Sequence, residues 1–395
     1  MTLPSRSSLG VTLCRDGREF AALAPEWDAL HRRCPSATPF QSHAWLHSWW
    51  LSYGQDSNLR VVLVRRGGRL VGAAPLLLAH RPMPLLMPMG GAISDFFDVL
   101  ADGAETVAVV GALAHGLHRA ARSSVIDLRE VRPDAVAQRL FSGWSGPRAR
   151  LTDSTCMELP AAPLATLAQE MSGSRAQRVR AKLRKVEALG VVCREVPADR
   201  VPGTVGDLLR LHALQWSGRG VNPEHLRPRF AAHLAHAAGR MVRDGGATLT
   251  EFLLDGEVLA ANLSLHAGPL TGCYLYGAHP RLRERKVDVA TLLLREVSRQ
   301  AAADGRSVLS LLRGAEQYKS YWQPVQVVNQ RLLMARSALE PLLRLRTSQV
   351  AARNRAAATV KARFPAAREW HERITALPGR VGSPSGAPHL TGAGR

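Results

Sequence analysis

Three consecutive strand patterns between residues 248 and 276 constrain the fold of this chain more than any other feature. Residues 248–254 and 258–266 are rich in apolar and β-branched residues and are joined by Asp255-Gly256-Glu257, whose glycine allows a left-handed turn. Residues 270–276 add a third strand. A hairpin extended by a third strand predicts an antiparallel sheet within the second half of the chain.

A helix and a fourth strand follow directly. Residues 288–304 begin with Asp288 as a helix N-cap, carry apolar residues at helical spacing, and end just before Gly305. Residues 307–312 then have the composition of a buried strand. Because a helix alternates with strands here, we expect an α/β fold built on a mixed sheet.

Reactive polar groups are concentrated just after that strand. Residues 313–322 read Arg-Gly-Ala-Glu-Gln-Tyr-Lys-Ser-Tyr-Trp and bring a carboxylate, a phenol, an amine and an indole into one short stretch. The carboxyl end of a strand is where α/β proteins commonly bind ligands. The structural alternative is a helix cap whose two aromatic side chains pack into the core. The motif alone leaves both interpretations open.

The composition is strongly basic. Of 395 residues, 52 are Lys or Arg and 32 are Asp or Glu, which gives a formal net charge of +20, and 47 of the basic residues are arginines. Such a field attracts polyanions, including nucleic acid, anionic lipid and phosphate-bearing small molecules. Part of this charge lies in the C-terminal region, so the charge by itself does not define a site.

Hydropathy and cysteine spacing argue against several classes of protein. No apolar run approaches the roughly 18 residues needed to span a bilayer, and residues 1–17 lack the apolar block of a signal peptide. We therefore expect a cytoplasmic protein without stable membrane insertion. The five cysteines are scattered, with no CxxC and no Cys/His pair at metal-ligand spacing, so neither a disulfide framework nor a metal site is expected.

The first half of the chain also predicts mixed α and β structure. Residues 42–53 place tryptophans and a leucine at helical spacing. Residues 59–64 and 70–78 flank a turn that contains Gly67-Gly68, which predicts a hairpin. The other elements expected here are a helix at 105–122 and strands at 124–128 and 154–159.

A basic helix opens the second half at residues 172–189. One side of it carries Arg175, Arg178, Lys182 and Lys185, beside an apolar stripe of Val179, Leu183 and Val186. A solvated face is the ordinary interpretation, and an anion-contacting face beside a substrate cleft is the functional one. Further elements expected are helices at 206–216 and 227–244, a strand at 325–334 and a basic helix from 338 to about 373.

Several short motifs occur in a fixed order along the chain. In the first half they are Glu26-Trp27-Asp28-Ala29-Leu30, Thr38-Pro39-Phe40-Gln41-Ser42, Trp45-Leu46 and Gly72-Ala73-Ala74-Pro75-Leu76. In the second half they are Lys182-Leu183-Arg184-Lys185, His212 with Trp216, Gly218-Arg219-Gly220, Gly256 with Ala260-Ala261, Tyr274 with Tyr276-Gly277, and Arg313-Gly314, Glu316, Tyr318-Lys319 and Trp322. In this order the motifs resemble the GNAT acyltransferase superfamily.

More closely, the chain resembles the CelD/BcsL-type (BioF2-like) acetyltransferases, whose architecture is similar to the tandem GNAT fold of the FemABX peptidyltransferases. The resemblance implies an α/β fold with tandem GNAT-like domains and a C-terminal basic helix. The domains it implies are an N-terminal segment at 1–19, a degenerate GNAT-like domain at 20–150, a GNAT acyltransferase domain at 151–336, a basic helical extension at 337–373 and a disordered tail at 374–395.

The resemblance also implies a co-substrate, acetyl-CoA or another acyl-CoA, and no metal. In such folds a splayed pair of central strands exposes backbone groups to the pantetheine arm, and the next helix N-terminus receives the pyrophosphate. The implied cofactor-binding residues are Leu259, Ala260, Ala261, Asn262 and Leu263 on the exposed strand, and Asp288, Ala290 and Thr291 at the helix.

This chain departs from the family pattern at two places. The family usually opens that helix with Ser-Pro-Gly, and this chain has Asp288-Val289-Ala290. The family usually has Asp-Phe-Leu before the Arg-Gly pair, and this chain has Ser310-Leu311-Leu312. Loss of the glycine reduces the room for backbone N–H groups to approach a pyrophosphate, and Asp288 adds a negative charge nearby.

The implied chemistry is attack of an amine or hydroxyl on a thioester, which needs proximity, a general base and a donor for the thioester oxygen. Candidate bases are Glu316, Glu251, Tyr276 and His266, and Tyr318 is a candidate to protonate the thiolate or orient the acceptor. The alternative is that Glu316 pairs with Arg313 or Lys319 and fixes the loop. Candidate substrate-binding residues are Arg178, Lys182, Trp216, Arg219, Arg313, Lys319 and Trp322.

Three functions follow as hypotheses. The leading one is N- or O-acyl transfer from acyl-CoA to an amino sugar, a polysaccharide precursor or a similar metabolite. The second is FemX-like transfer of an aminoacyl group from charged tRNA, which the net charge of +20 would suit. The third is a non-catalytic GNAT-like module in exopolysaccharide assembly.

Overall fold

The computed structural model describes residues 8–80, 82–217, 221–314, 316 and 319–363. The strands are β1 (Leu9–Cys14), β2 (Leu59–Arg66), β3 (Arg69–Ala79), β4 (Leu85–Pro88), β5 (Leu100–Ala101), β6 (Val125–Val131), β7 (Arg148–Pro160), β8 (Val192–Glu195), β9 (Ala247–Leu254), β10 (Glu257–Ala267), β11 (Leu270–Ala278), β12 (Val308–Arg313) and β13 (Val325–Met334). The helices are α1 (Gly17–Ala22), α2 (Ala24–Arg33), α3 (His43–Tyr53), α4 (Thr106–Ala120), α5 (Val136–Ser142), α6 (Leu164–Glu170), α7 (Gly173–Glu187), α8 (Val201–Trp216), α9 (Pro228–Arg243), α10 (Pro280–Glu284), α11 (Val289–Ala303) and α12 (Glu340–Arg363).

These strands form one mixed sheet. Its order is β1-β2-β3-β4-β6-β13-β7-β12-β11-β10-β9-β8, and β5 pairs with β3 outside this path. The β4–β6 and β11–β12 pairs are parallel, and the other strand pairs are antiparallel. The mixed α/β sheet predicted from the sequence is confirmed.

Both hairpins predicted from glycine turns are confirmed. β2 pairs with β3 around Gly67 and Gly68, whose φ angles are 54° and 81°. β9 pairs with β10 around Asp255 and Gly256, whose φ angles are also 54° and 81°. A two-residue turn with both central residues in the left-handed region matches the twist of the strands it joins, which explains the glycines.

The last strand joins the two halves of the molecule. β13 pairs with β6 on one side and with β7 on the other. The predicted domain boundary between residues 150 and 151 falls inside β7, and the one between residues 19 and 20 falls inside α1. The two halves therefore share a continuous sheet and are not separated by a linker.

Aromatic side chains of α3 fill the contact between the halves. The Trp45 ring is fully buried, with its centroid 4.6 Å from the His233 ring and 5.0 Å from the Tyr274 ring. Ser48 Oγ donates a hydrogen bond to the backbone carbonyl of His233 at 2.7 Å. Because His233 lies on α9 and Tyr274 on β11, the first half acts as a rigid support for the second.

The C-terminal basic helix is present as α12 within the described residues. Arg331 donates to both carboxylate oxygens of Asp127 at 2.6 Å, and Arg346 donates to one of them at 2.8 and 2.9 Å. Burial would raise the pKa of Asp127, but the hydrogen bonds and charges of the two arginines outweigh it and lower the pKa. This buried triad ties α12 to the sheet. The tail expected at 374–395 lies outside the described residues.

The described part of the chain contains no membrane-spanning helix, no metal-ligand cluster and no disulfide. None of its helices combines the length and the hydrophobicity that crossing a bilayer requires. It also contains no group of three or more His, Cys, Asp or Glu side chains placed to hold a metal ion. The five cysteines are free thiols.

Candidate active site

The strands β11 and β12 separate from each other part-way along their length. Residues 270–272 of β11 pair with residues 308–310 of β12, and no pairing follows although both strands continue. Each strand is irregular at this point: Tyr274 has no partner on β10, and the register of β12 against β7 shifts between Ser310 and Arg313. Bulges bend a strand and increase its twist, so the two strands diverge and a gap opens between them.

A cavity of about 1110 Å³ passes through this gap. On the α11 side its walls are apolar, and we call this part the apolar arm, lined by Cys273, Ala290, Leu293, Leu294, Val297 and Leu311. On the side of the first half its walls are polar, and we call this part the charged arm, lined by Asp95, Arg129, Glu130, Asp153, Ser154 and Arg313. The gap thus connects two chemically different compartments.

Arg313 holds the charged arm together. Its guanidinium pairs with Asp95 and, at 3.1 Å, with Glu130, and it donates to the backbone carbonyl of Ala92 at 2.7 Å. Burial opposes the charge, but the two carboxylates raise the pKa of Arg313 well above its usual value. Because Ala92 and Asp95 belong to a loop of the first half and Glu130 to β6, one side chain fixes three segments.

Two residues beside the cavity have backbones in the left-handed region. The φ angle is 54° at Glu130 and 58° at Leu312. For residues other than glycine this conformation costs roughly 1–2 kcal/mol and is frequent at functional sites. Glu130 is kept there by its side chain, which accepts hydrogen bonds from Ser154 Oγ and, at 3.2 Å, from Asn329 Nδ2.

Asp153 is the carboxylate of the charged arm with the weakest ion pair. Its Oδ2 accepts a hydrogen bond from the backbone N–H of Glu130 at 2.9 Å, and the nearest guanidinium nitrogen, Arg129 Nε, is 3.8 Å away. Burial, and next the negative charge of Glu130, raise the pKa of Asp153. A carboxylate with a raised pKa on a cavity wall is suited to accept a proton from a bound ligand.

A pair of histidines lines the cavity beside β11. His212 Nδ1 lies 2.7 Å from the backbone carbonyl of Tyr276, and His225 Nδ1 lies 3.1 Å from His212 Nε2. Because a carbonyl oxygen can only accept, His212 donates from Nδ1 and His225 donates to His212 Nε2. Burial lowers the pKa of both rings, that of His225 to about 3. The neutral pair fixes β11 to α8.

The two strands that border this gap belong to a region that matches a known protein family. Residues 173–320, which include β11, α11 and β12, match the acetyltransferase (GNAT) domain family. The chain contains a GNAT acetyltransferase domain. It is therefore a transferase, as the sequence resemblance implied. A search of the curated proteins finds no match.

The fold of the whole chain is similar to that of several solved structures. FemX superposes with a TM-score of 0.58 at 13% identity, over 82% of this chain and 98% of that one. A conserved protein of unknown function from Bacteroides thetaiotaomicron VPI-5482 gives 0.53 at 12% identity, over 83% and 100%. The C-terminal domain (DUF2156) of a putative lysylphosphatidylglycerol synthetase from Agrobacterium fabrum gives 0.52 at 11% identity, over 84% and 96%. At these identities the similarity concerns the fold alone.

The strand of the GNAT domain that was expected to be exposed is enclosed. β10 pairs with β9 along one side and with β11 along the other, so its backbone groups are used by two ladders. The expectation of an exposed edge here is therefore wrong, and the open edge belongs to β11. Of the residues on β10 expected to contact the cofactor, Asn262 lines the cavity, and the others do not: Leu259, Ala260, Ala261 and Leu263.

The start of α11 is occupied by the chain's own carboxylate. Asp288 Oδ1 accepts a hydrogen bond from the backbone N–H of Thr291 at 3.1 Å, and Oδ2 lies 2.6 Å from Lys182 Nζ. A pyrophosphate placed there would meet this charge and the Cβ atoms of Val289 and Ala290 instead of a free helix N-terminus. The first turn of α11 therefore does not offer a diphosphate the free N–H groups and uncharged surroundings that it would need.

The segment after β12 is largely structural. Lys319 is buried, and its ammonium donates to the backbone carbonyl of Arg313 at 2.9 Å and pairs with Glu316 at 2.7 Å. Trp322 is buried in an apolar cluster. Trp322 is enclosed and does not line the cavity, so the expectation that it binds substrate is wrong. Lys319 does line the cavity, although its ammonium already has these partners, so a substrate contact by Lys319 stays a prediction. Glu316 lines the cavity while paired, and Tyr318 lies outside the described residues.

Two of the candidate bases do not reach the cavity. Glu251 is buried on β9 and pairs with Arg194 of the edge strand β8 at 2.7 Å. His266 lies between the hydroxyls of Thr248 and Thr271, at 3.0 and 3.1 Å, and burial lowers its pKa to about 4. Their polar atoms are already bonded inside the sheet, away from the gap.

The remaining candidate site residues differ in whether they line the cavity. Tyr276 and Trp216 both line the cavity, and the buried indole N–H of Trp216 has no hydrogen-bond partner among the residues described. Arg178 is exposed on α7 and does not line the cavity. Arg219 lies outside the described residues. That Trp216 contacts the substrate stays a prediction, and its position on the cavity wall favours it.

The charged arm itself was not anticipated from the sequence. Glu130 and Asp153 are far apart in the chain and meet because β13 lies between β6 and β7, and Asp95 is held beside Glu130 by Arg313. The available signal was polar residues inside otherwise apolar strands, as in the Val-Ile-Asp-Leu-Arg-Glu-Val sequence of β6. A charged residue at a buried strand position has to be paired, and therefore indicates a polar site or a buried ion pair.

Proposed function

We propose that this chain transfers an acyl group from a thioester carried on a pantetheine arm to an amine of a small-molecule acceptor. The observation that supports this most directly is the cavity through the β11–β12 gap, with one apolar and one charged arm. A donor with an alkyl or acyl chain suits the apolar arm, and a polar acceptor suits the charged arm. Their reacting atoms would meet at the gap.

The donor side depends on the open edge of β11. Beyond residue 272 no strand of the described chain pairs with that edge, so a ligand can approach the backbone N–H groups of residues 273–275 there. Such groups can donate to the amides of a pantetheine arm and to the thioester oxygen as it gains negative charge. Leu293, Leu294 and Val297 of α11 would pack against the chain and exclude water.

The acceptor side depends on Asp153. When the amine attacks the thioester carbon, the C–N bond forms, the C–S bond breaks, and the thiolate leaves and takes up a proton. The ammonium proton lost by the attacking nitrogen passes to the Asp153 carboxylate, whose raised pKa suits it to this role. Arg313 already binds Asp95 and Glu130, so it fixes the walls of the charged arm.

An amino sugar or a polysaccharide precursor is the acceptor class we favour. The charged arm offers carboxylates, guanidinium groups and the Ser154 hydroxyl, which suit a polar molecule with one amine and several hydroxyls. A hydroxyl nucleophile would use the same arrangement, with Asp153 again accepting the proton.

The experiment compares Asp153→Asn with Asp134→Asn in acyl transfer from acyl-pantetheine to a panel of amines, followed by release of the free thiol. Asp134 is a matched control, because its side chain is 64% exposed and, among the residues that the structure describes, pairs with Arg132 alone, at 3.1 Å. We expect kcat to fall by about 10²–10⁴ for Asp153→Asn, with little change for Asp134→Asn.

The pH dependence provides an independent check. In the wild type the rate should fall as the pH decreases through the raised pKa of Asp153, since the base is then protonated. This acid limb should be absent from the residual rate of Asp153→Asn. A wild-type rate in that variant would remove Asp153 from the mechanism, and no thioester turnover with any acceptor would overturn the proposal itself.

A second candidate is transfer of an aminoacyl group from charged tRNA. One observation favours it: Asp288 closes the start of α11 to a diphosphate, while the chain carries a net charge of +20. Consumption of aminoacyl-tRNA, with binding that weakens steeply as salt is raised, would support this candidate over the first.

A further inference from the structure

The segment between α10 and α11 carries several charged residues. The short helix α10 is followed by Lys286, whose φ angle is 55°. A lysine in the left-handed region is less favourable than glycine by roughly 1–2 kcal/mol. The next residues lead to Asp288, which caps α11 with its own carboxylate.

Basic side chains surround this position. On α10 and the following turn, Arg283 and Lys286 are exposed, and on α7, Arg178 and Lys185 are exposed on the same side as Lys182, which pairs with Asp288. We call these five residues the basic rim. No carboxylate of the described chain pairs with the four exposed members. The two other arginines of α10 and the turn after it, Arg281 and Arg285, pair with Glu257 and Asp255.

The basic rim lies beside the apolar arm, where α11 begins. Ala290, two residues after Asp288, lines the arm. A separate pocket of about 210 Å³ next to it is lined by Gln215, His279, Arg283, Val287, Asp288 and Val289. The Asp288 carboxylate forms part of this small pocket, so it does not provide an alternative diphosphate site. The positive charge is on exposed side chains around Asp288, and Asp288 itself carries a negative charge.

We propose that the donor thioester is delivered by an acidic carrier protein that docks on the basic rim and inserts its phosphopantetheine arm into the apolar arm. This inference rests on the proposed thioester transfer. The arm of a carrier protein bears a single phosphodiester at the protein surface, so it needs no diphosphate site at α11. Exposed cations spread over two helices complement an acidic protein surface and steer its approach.

The test supplies the same acyl group on three donors: a bacterial acyl carrier protein, CoA and pantetheine. At low salt we expect kcat/KM for the acyl carrier protein to exceed that for acyl-CoA by at least about tenfold, the lower range of electrostatic steering, and the difference to shrink as salt is raised. Acyl-pantetheine should react without salt dependence, because it carries no phosphate.

Three variants separate docking from chemistry. Reversal of the basic rim by Arg283→Glu with Lys286→Glu should remove the advantage of the carrier protein and leave acyl-pantetheine turnover within about twofold. The matched control, Arg18→Glu with Arg122→Glu, makes the same charge change at exposed positions of the first half and should have no effect on either donor. Asp288→Ser keeps a capping side chain but removes the charge, and should lower the KM for acyl-CoA.

Each outcome decides a different question. Equal or better use of acyl-CoA by the wild type, or no effect of the rim reversal on the carrier protein, would overturn the carrier proposal and leave thioester transfer intact. Turnover of aminoacyl-tRNA alone would replace it by the tRNA candidate. No reaction with any of the three thioesters, acyl-pantetheine included, would instead overturn the proposed function.

Discussion

The ion network around Arg313 leads to a quantitative expectation for stability. Replacing Arg313 by Met leaves the Asp95 and Glu130 side chains, which are only 14% and 10% exposed, without their shared cation. Removing one partner of a buried ion pair costs about 3–5 kcal/mol, because the other charge stays desolvated. Since the Arg313 side chain is itself 26% exposed, we expect a value near the lower limit, about 3 kcal/mol.

The assay is urea denaturation followed by tryptophan fluorescence, with Arg295→Met as the control. Arg295 pairs with Glu187 at 3.4 Å, but the two side chains are 42% and 71% exposed, so its removal should cost less than about 1 kcal/mol. Adding Asp95→Asn and Glu130→Gln to Arg313→Met should recover part of the loss. If Arg313→Met costs no more than Arg295→Met, the network does not hold the charged arm together and the reasoning is refuted.

Two further predictions concern the attachment of helices to the sheet. Because the arginines lower the pKa of Asp127, its stabilising effect is complete above the ordinary aspartate pKa and is lost as the pH falls through the folded-state value. Asp127→Asn should therefore lower the free energy of unfolding at pH 7 by about 3–5 kcal/mol and flatten its decline in acid, measured by urea denaturation at a series of pH values. A Cβ at Gly277 would lie 2.3 Å from the backbone nitrogen of His212, so Gly277→Ala should lower the thermal midpoint, at a cost of about 1–3 kcal/mol or more. Gly206 lies on α8, the helix that carries His212, and a Cβ there would meet nothing within 4 Å. Gly206→Ala should therefore stabilise the protein by about 0.5–1 kcal/mol.

The contrary results are equally specific. An Asp127→Asn variant with the acid profile of the wild type would show that Arg331 and Arg346 do not depend on this carboxylate. A Gly277→Ala variant as stable as the wild type would show that α8 can move away from β11, and so that the histidine pair does not fix that strand.

Local signals in the sequence were sufficient for many elements. The hairpins at Gly67-Gly68 and Asp255-Gly256 were found because a left-handed turn restricts residue choice at two positions. The limits of α11 were found because Asp288 caps its start and Gly305, with a φ angle of 67°, follows its end. These features depend only on neighbours in the chain.

Elements and contacts that depend on distant partners were missed. The four-residue strands β4 and β8 have too few residues for a periodic pattern and are strands because neighbouring strands pair with them. The expectation that β10 has an exposed edge was wrong for the same reason: it depends on distant pairing. The sequence of a hairpin does not show which of its two strands borders a gap. The charged arm was missed since its carboxylates come from a loop, β6 and β7.

The position of β13 has a consequence for how the molecule is made. β6 and β7 become neighbours only when residues 325–334, close to the end of the described chain, have been added between them. Since synthesis proceeds from the N-terminus, both strands leave the ribosome well before their common partner and keep unpaired edges during that interval. A fragment that stops at residue 320, where the GNAT family match ends, would contain β11, α11 and β12 but would lack the strand that brings Glu130 and Asp153 together. Catalytic competence should therefore arise late in synthesis, in a single step, when the last strand inserts.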